Sequence, residues 1–217
     1  MTEIRALFGE TIIELSGFLL ESTPELVERF DGPSALAEFS VRGLAGHLRR
    51  AMTSLDGYLD RPGPAAGAPG TVTAARYYAT VLGDSTDIDS DLHRSVRQRG
   101  LEAAPGDPDA FALEWADVAG ALVDRLVREP SERLIEVYGG LVMTLDEYLV
   151  TRLVELVVHG DDLAVSLGVA PPPLPPAATG LVITTLVEVA RLRHGDSAVV
   201  RALARRERDT AGALRVI

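Results

Sequence analysis

The feature that most constrains the fold is the segment between residues 145 and 167, which is aliphatic on almost every side yet carries a line of polar side chains. At about 100° per residue, these side chains fall within an arc of about 80° on a helix, and we call them the polar stripe. They are Tyr148, Arg152, Glu155, His159, Asp162 and Ser166. A surface helix usually has a wider polar arc that is filled with Lys and Glu, whereas this arc is narrow and contains no lysine. The pattern therefore predicts a helix buried in a bundle, with the polar stripe facing an internal cleft.

Two residues of the polar stripe, Glu155 and His159, are four positions apart and project side by side from one helix face. Charged groups in a cleft must be paired or must bind a metal ion, because burying an unpaired charge costs several kcal/mol. Glu and His at this spacing can share one cation, and a hydrogen-bonded Glu–His pair explains the spacing equally well. A surface helix with one hydrated side is the commonest alternative for any amphipathic pattern.

The rest of the chain predicts further helices, which are separated by segments rich in proline and glycine. The predicted helices span residues 3–20, 41–59, 72–82, 88–103, 109–126, 145–167, 177–192 and 196–206. Ser40 is expected to cap the second of them, Thr144 or Leu145 to start the longest, and Gly168 to end the longest. The connection 21–39 has room for a short helix, RLIEVYGGLVMT predicts a small hairpin around Gly139 and Gly140, and the terminal ALRVI is strand-like.

This order of elements predicts a mainly α-helical protein, an antiparallel helix bundle with a small β-hairpin insertion and a short C-terminal extension. A chain of 217 residues can form one domain with a sizeable core. We expect the bundle to occupy residues 1–168. The extension, residues 169–217, would consist of a proline-rich linker, two helices and the strand-like terminal segment.

Charge and composition exclude several classes of function. The net charge of -11 argues against nucleic acid and anionic membrane surfaces as partners, because both are polyanions. The amino terminus carries acids among its apolar residues, which is not typical of a signal peptide, and no uncharged run reaches the roughly 18–20 residues that span a bilayer. The chain has no cysteine, so any thiol chemistry would need a thiol from a cofactor. These features predict a cytoplasmic protein. We expect it to be either a monomer or a homodimer.

The four histidines narrow the search for a third metal ligand on a facing helix. His93 lies among charged residues and His194 lies in a turn-like segment, so both are expected to be exposed to solvent. His47 lies on or beside the apolar face of the helix that follows Ser40. A lone histidine at such a position is more often a core residue than a ligand, but a Glu–His pair that needs a partner favours the ligand interpretation.

Two segments together resemble the signatures of the mycothiol-dependent maleylpyruvate isomerase family, helix bundles of the DinB-like superfamily. The first family pattern runs aromatic, Thr or Ser, Val, Arg, Asp, Leu, two variable residues, His, Leu. It is matched in FSVRGLAGHL by Phe39, Ser40, Val41, Arg42, Leu44, His47 and Leu48. Gly43 replaces the usual acid, and Phe39 stands where Trp is commonest. The second pattern is matched in RLVELVVHGDDL by Arg152, Glu155, His159, Asp162 and Leu163.

The resemblance implies a DinB-like antiparallel four-helix bundle that binds a divalent metal, usually zinc, through His47, Glu155 and His159. It also implies mycothiol as a thiol cosubstrate and the cis–trans isomerisation of maleylpyruvate, or a related thiol transfer to a small electrophilic acid. Two histidines and a carboxylate form a known catalytic zinc set with an open position, where a bound thiol would lose its proton. Such a thiolate can add to an electrophilic carbon, allow rotation about the former double bond, and leave.

Several alternatives stay open at this point. Arg152 and Asp162 either orient the ligands or a substrate carboxylate, or form an ordinary helix ion pair or cap. Arginines of the C-terminal extension either form a solvated face or reach the cleft. These arginines are Arg191, Arg193, Arg201, Arg205, Arg206, Arg208 and Arg215. The rival functions are a metal-dependent hydrolase, for which the motifs supply no convincing general base, and a non-catalytic bundle that binds a metal or a partner.

Overall fold

The computed structural model of the chain describes residues 1–64, 70–81, 91–104, 106–204, 207, 211–214 and 216, and is mainly α-helical with one small β-hairpin. The helices are α1 (Glu3–Glu21), α2 (Thr23–Arg29), α3 (Val41–Leu59), α4 (Ala74–Val81), α5 (Asp91–Ala103), α6 (Pro108–Arg128), α7 (Leu145–Leu167), α8 (Pro176–His194), α9 (Asp196–Ala204) and α10 (Ala211–Leu214). The strands are β1 (Leu134–Glu136) and β2 (Val142–Thr144). The predicted fold class is confirmed.

The two helices that carry the polar stripe and His47 begin and end at the predicted signals. The Ser40 hydroxyl accepts a hydrogen bond from the Gly43 N–H at 3.1 Å, and the Thr144 hydroxyl accepts one from the Glu147 N–H at 3.1 Å. These bonds satisfy N–H groups that lack partners in the first turn of a helix. Gly168 ends α7 in the left-handed region at φ 72°, which glycine adopts without steric cost.

Four long helices form the central part of the molecule. Helix α1 packs against α6 and α7, and α3 packs against the same two helices. Their contact faces are apolar: Phe8, Ile12 and Leu15 of α1 are fully buried. Trp115 of α6 is also fully buried, and its indole N–H donates to the carbonyl oxygen of Ile12 at 3.2 Å. This bond satisfies the one polar atom of the Trp115 side chain inside the core.

The hairpin lies between α6 and α7, and a buried arginine of α1 binds the chain on both sides of it. Strands β1 and β2 pair antiparallel, with Ile135 opposite Met143. Arg5 of α1 is 2 % exposed and pairs with Asp146 in the first turn of α7 at 2.9 Å. It also donates to the carbonyl oxygens of Glu129 and Pro130, each at 2.7 Å. One guanidinium group therefore connects α1 to the end of α6 and to the start of α7.

The end of the chain differs from its prediction. The segment ALRVI, residues 213–217, was expected to be strand-like, but Ala213 and Leu214 lie in the short helix α10, which packs against α8 and α9. Arg215 and Ile217 lie outside the described residues. A strand needs a neighbouring strand for its backbone hydrogen bonds, and the hairpin is the only sheet in the described part of the chain. Helix α8 itself packs against α1, α4 and α7.

The remaining predicted elements agree closely with the structure where it describes them. Helix α2 lies in the predicted connection 21–39, and the start of α4 and both ends of α8 differ by one or two residues from their predictions. The described end of α5 and the described start of α9 lie at the predicted residues. Residues 65–69 of the predicted loop, the helix ends placed at residues 82 and 88, and the predicted helix end at residue 206 lie outside the described residues. Within the described ranges, every helix is too short or too polar to span a bilayer.

Candidate metal site and its cavity

The structure brings together the three predicted ligands. His47 projects from α3, and Glu155 and His159 project from α7, which packs against α3. The Oε2 atom of Glu155 lies 3.2 Å from Nε2 of His47 and 3.4 Å from Nε2 of His159. One possible ligand atom from each residue lies within 4.8 Å of the other two, and the side chains are 16–19 % exposed. Two imidazoles and one carboxylate therefore converge on one partly buried point.

Asp162 fixes the orientation of the His159 ring. Its Oδ2 atom lies 2.9 Å from Nδ1 of His159, and Nδ1 must be the donor because an ionised carboxylate only accepts. Nε2 of the same ring therefore faces Glu155. Burial by itself lowers the pKa of His159, but hydrogen bonds to Asp162 and Glu155 outweigh burial and raise the pKa to about 9. A metal ion that binds Nε2 at neutral pH must displace a proton.

Tyr78 of α4 fixes the Glu155 carboxylate. The Tyr78 hydroxyl lies 2.8 Å from Oε1 of Glu155 and 2.9 Å from the carbonyl oxygen of Thr151, so both oxygens share its hydrogen. Burial and the neighbouring Glu155 charge raise the pKa of Tyr78, which keeps the phenol protonated as a donor. Burial by itself raises the pKa of Glu155, but hydrogen bonds from both histidines outweigh burial and hold that pKa well below its usual range. The carboxylate stays ionised, with Oε2 directed at the histidines.

His47 lies beside a close contact between helices α3 and α5. Helix α5 lies against α3 where both carry glycine, and a Cβ atom built on Gly46 would lie 2.1 Å from the carbonyl oxygen of Gly100. The Cβ of His47 is also near this contact, 3.4 Å from a Cβ built on Gly100. The two missing side chains allow backbone contact between the helices. This contact covers His47 with α5 and places Arg99 beside the site.

A cavity of about 330 Å³ adjoins the ligands and is rich in donors. Three arginines line it: Arg50 from α3, Arg99 from α5 and Arg152 from α7. All five tyrosines of the chain line it as well: Tyr58, Tyr77, Tyr78, Tyr138 and Tyr148. Burial raises the pKa of Tyr77 to about 12, so this phenol is a donor at neutral pH. Among the described residues, Glu155 supplies the only carboxylate in the cavity wall.

The residues flanking the ligands occupy different environments. Asp162 forms a hydrogen bond with His159, which agrees with the interpretation that Asp162 orients this ligand. Arg152 stacks over the Tyr148 ring, with Cζ 4.8 Å from the ring centroid, and donates to the Thr151 hydroxyl at 3.1 Å. Within the described part of the chain it has no ion-pair partner, so an ordinary helix ion pair does not account for it. Ser166 bonds the Ala35 N–H and lies away from the cavity.

One sequence expectation about the site is wrong, and one of the open alternatives is decided for the described residues. His93 was expected to be exposed, but it lines the cavity because α5 packs against α3, whereas His194 is exposed as predicted. The C-terminal arginines that the structure describes do not line the cavity. Arg191 pairs with Glu188 and Asp196, and Arg193 donates to the carbonyl oxygen of Val216. Arg205, Arg206, Arg208 and Arg215 lie outside the described residues.

The sequence prediction missed the residues that complete the site, namely Tyr78, Arg50 and Arg99. Each lies on a helix whose position relative to α7 depends on contacts between distant parts of the chain. The adjacent Tyr77 and Tyr78 and the glycines at 43 and 46 were the available signals. Neither pattern indicates a metal site by itself.

The donor set fits a divalent transition metal ion. Bonds of about 2.1 Å in tetrahedral geometry place neighbouring ligand atoms about 3.4 Å apart, which is close to both distances from Glu155 Oε2. Imidazole and carboxylate ligands suit zinc and its neighbours, and the Asp162–His159 contact is typical of histidines that bind metals. The two histidines differ in one respect, since Nδ1 of His47 is buried and has no hydrogen-bond partner among the described residues.

Comparison with known proteins agrees with the site. A family model described as the mycothiol maleylpyruvate isomerase N-terminal domain matches residues 20–164, more than half of the chain. The matched span includes α3, α7 and all three candidate ligands. No curated protein and no solved structure shows a significant match to the chain.

Proposed function

The chain belongs to the mycothiol maleylpyruvate isomerase N-terminal domain family, and from this premise we propose that it is a metal-dependent enzyme with a thiol cosubstrate. The metal would be zinc, bound by His47, Glu155 and His159, and the thiol would be mycothiol. The reaction would be isomerisation of, or thiol transfer to, a small electrophilic acid. We further propose that residues 1–168 form the metal-binding unit and that the enzyme acts in the cytoplasm as a monomer or homodimer.

The observation that carries this proposal is the convergence of three ligand atoms from two helices. His47 and Glu155 lie more than one hundred residues apart in sequence, yet their side chains meet at 3.2 Å. A hydrogen-bonded Glu–His pair needs only one histidine. Here a single carboxylate oxygen of Glu155 lies near two histidine nitrogens. This arrangement is expected if the three side chains share one cation.

Each residue has a separate task in this proposal. A bound zinc ion would supply a positive charge that favours the deprotonated form of a nearby thiol. Tyr78 holds the Glu155 carboxylate through Oε1, and Asp162 holds the His159 ring through Nδ1. The half-buried walls restrict water around the site, which strengthens electrostatic interactions within it.

Titration with mycothiol tests the thiol part of this proposal. We expect the cobalt-substituted protein to develop a sulfur-to-metal absorption band on addition of mycothiol, because a thiolate would enter the metal's coordination sphere. S-methylated mycothiol is the matched control, since it cannot form a thiolate and should give no band. If the protein binds the metal but shows no spectral response to any thiol, the metal site would be supported and the thiol mechanism would be ruled out. The hydrolase and the non-catalytic bundle would then be the remaining functions.

A second test addresses the role of Asp162 in orienting the His159 ring. Because Asp162 accepts the hydrogen bond from His159 Nδ1, Asp162→Asn should weaken zinc binding by about 10-fold to 100-fold. Asp161→Asn is a matched control, since it removes the same charge from an exposed position one residue earlier in α7. Competition titration with a chelator measures both affinities. Equal losses in the two variants would mean that Asp162 acts through its charge alone and does not orient the ring.

A further inference from the structure

We propose that the cavity beside the three ligands recognises a small organic anion through the guanidinium groups of Arg50, Arg99 and Arg152. The identification of this anion as the substrate rests on the proposed function above. The binding itself does not, because these arginines are separate from the metal ligands. The three side chains come from α3, α5 and α7 and line one cavity of about 330 Å³.

Positive charge without an ion-pair partner is concentrated in the cavity. The chain carries 32 acidic residues against 21 basic ones, so it has more carboxylates than cations to pair with them. Arg125, for example, pairs with Asp56 and Asp60, each at 2.9 Å. Among the described residues, Arg50, Arg99 and Arg152 have no such ion pairs. The cavity therefore groups three cations in a protein that is acidic elsewhere.

This grouping of positive charges is unfavourable for the protein without a bound anion. All three arginines are half-buried. Burial and the charges of Arg99 and Arg152 lower the pKa of Arg50, which shows that the environment disfavours its charge. The Arg50 side chain makes no hydrogen bond within the described part of the chain, while Arg99 donates only to the Ser95 hydroxyl. Such a cluster is stabilised when an anion binds it.

The donors and the volume of the cavity indicate the chemical class of its ligand. A guanidinium group presents parallel N–H donors that match a carboxylate, and the tyrosine hydroxyls add neutral donors. The volume is near the lower end of the range for ligand pockets, about 300–1,000 Å³, which favours a small molecule. Three positive charges face the single carboxylate of Glu155, so the cavity should favour a ligand with two carboxylates over one with a single carboxylate.

Calorimetric titration with succinate, butyrate and succinamide tests the proposal, because these small molecules carry two, one and no negative charges. We expect succinate to bind best, butyrate more weakly and succinamide not measurably. Each of Arg50→Gln, Arg99→Gln and Arg152→Gln should weaken succinate binding about 10-fold or more, since each removes a charge-assisted hydrogen bond. Arg76→Gln, which removes an exposed charge from α4, is the matched control and should leave binding unchanged.

The titration is carried out on zinc-loaded and metal-free protein, so that the arginine site and the metal site are tested separately. Succinate binding to metal-free protein that is weakened by the arginine substitutions supports the proposal even if no thiol chemistry is found. Binding that requires the metal and is unaffected by all three substitutions would overturn it. Thermal unfolding of Arg50→Gln provides a second test. We expect this variant to have an equal or higher Tm, because the substitution relieves repulsion between like charges. A lower Tm with unchanged succinate affinity would instead show that Arg50 stabilises the fold and does not bind the anion.

Discussion

Replacing any one of His47, Glu155 or His159 with alanine is expected to abolish stoichiometric zinc binding. Zinc sites of proteins bind with about 10–16 kcal/mol, and three protein ligands share that free energy here. Loss of one ligand should therefore cost about 4 kcal/mol, which corresponds to a roughly 10³-fold weaker affinity. Metal analysis of the purified variants, followed by competition titration with a chelator, measures this effect.

The control for these three variants is His194→Ala. His194 is exposed and lies outside the site, so its removal should leave zinc content and affinity unchanged. Glu155→Gln adds a finer test, because the amide keeps the shape of the side chain and an oxygen for the Tyr78 hydroxyl but removes the charge. Undiminished zinc in all three alanine variants would rule out the triad, and a metal-free wild-type protein would favour the hydrogen-bonded Glu–His pair.

The second large effect is expected at the contact between α3 and α5, where Gly46→Ala should destabilise the protein by about 3 kcal/mol or more. The new Cβ would lie 2.1 Å from the carbonyl oxygen of Gly100 and 2.6 Å from the backbone nitrogen of Ala104. Backbone atoms cannot move aside as the end of a flexible side chain does, so α5 must shift away from α3. Urea unfolding measures the loss of free energy, and hydrogen exchange in α5 locates it.

Gly57→Ala is the matched control on the same helix. A Cβ at position 57 meets no atom within 4 Å, and Gly57 lies in the interior of α3. Alanine there should stabilise the protein by about 0.5–1 kcal/mol, because glycine has the greater conformational freedom in the unfolded chain. If Gly46→Ala were as stable as Gly57→Ala, the backbone contact between α3 and α5 would be absent in solution.

The sequence predicted those parts of the molecule that local patterns determine. Helix α7 was recognisable because its aliphatic surface and its narrow polar stripe extend over six turns, and because Thr144 and Gly168 mark its ends. His47 was recognisable only together with Glu155 and His159, since one histidine on an apolar face has several explanations. The convergence of these side chains follows from the packing of α3 on α7, which no local pattern contains.

The cavity was not predictable because α5 does not resemble a packed helix in sequence. Its segment DLHRSVRQRGLEA is strongly polar, and its apolar face is narrow, with Val96 and Ala103 on either side of Gly100. The close approach of α5 to α3 depends on backbone contact at Gly46 and Gly100, which a pattern of apolar side chains does not reveal. The prediction of a strand-like end was wrong at Ala213 and Leu214 for a related reason. Residues with β propensity form a strand only where another strand is available to pair with them.

The buried Arg5 has a consequence for the order in which the chain folds. It pairs with Asp146, which lies 141 residues further along the chain, and the carbonyl groups that it also binds are separated from it by 124 and 125 residues. Contacts between such distant residues raise the contact order and slow the folding of a domain, because the intervening chain must be ordered before they form. Helix α1 is synthesised before α6 and α7, so it cannot complete its contacts until the first turn of α7 has left the ribosome. Part of the apolar face of α1 therefore stays unprotected during this interval, in which exposed apolar surface favours aggregation.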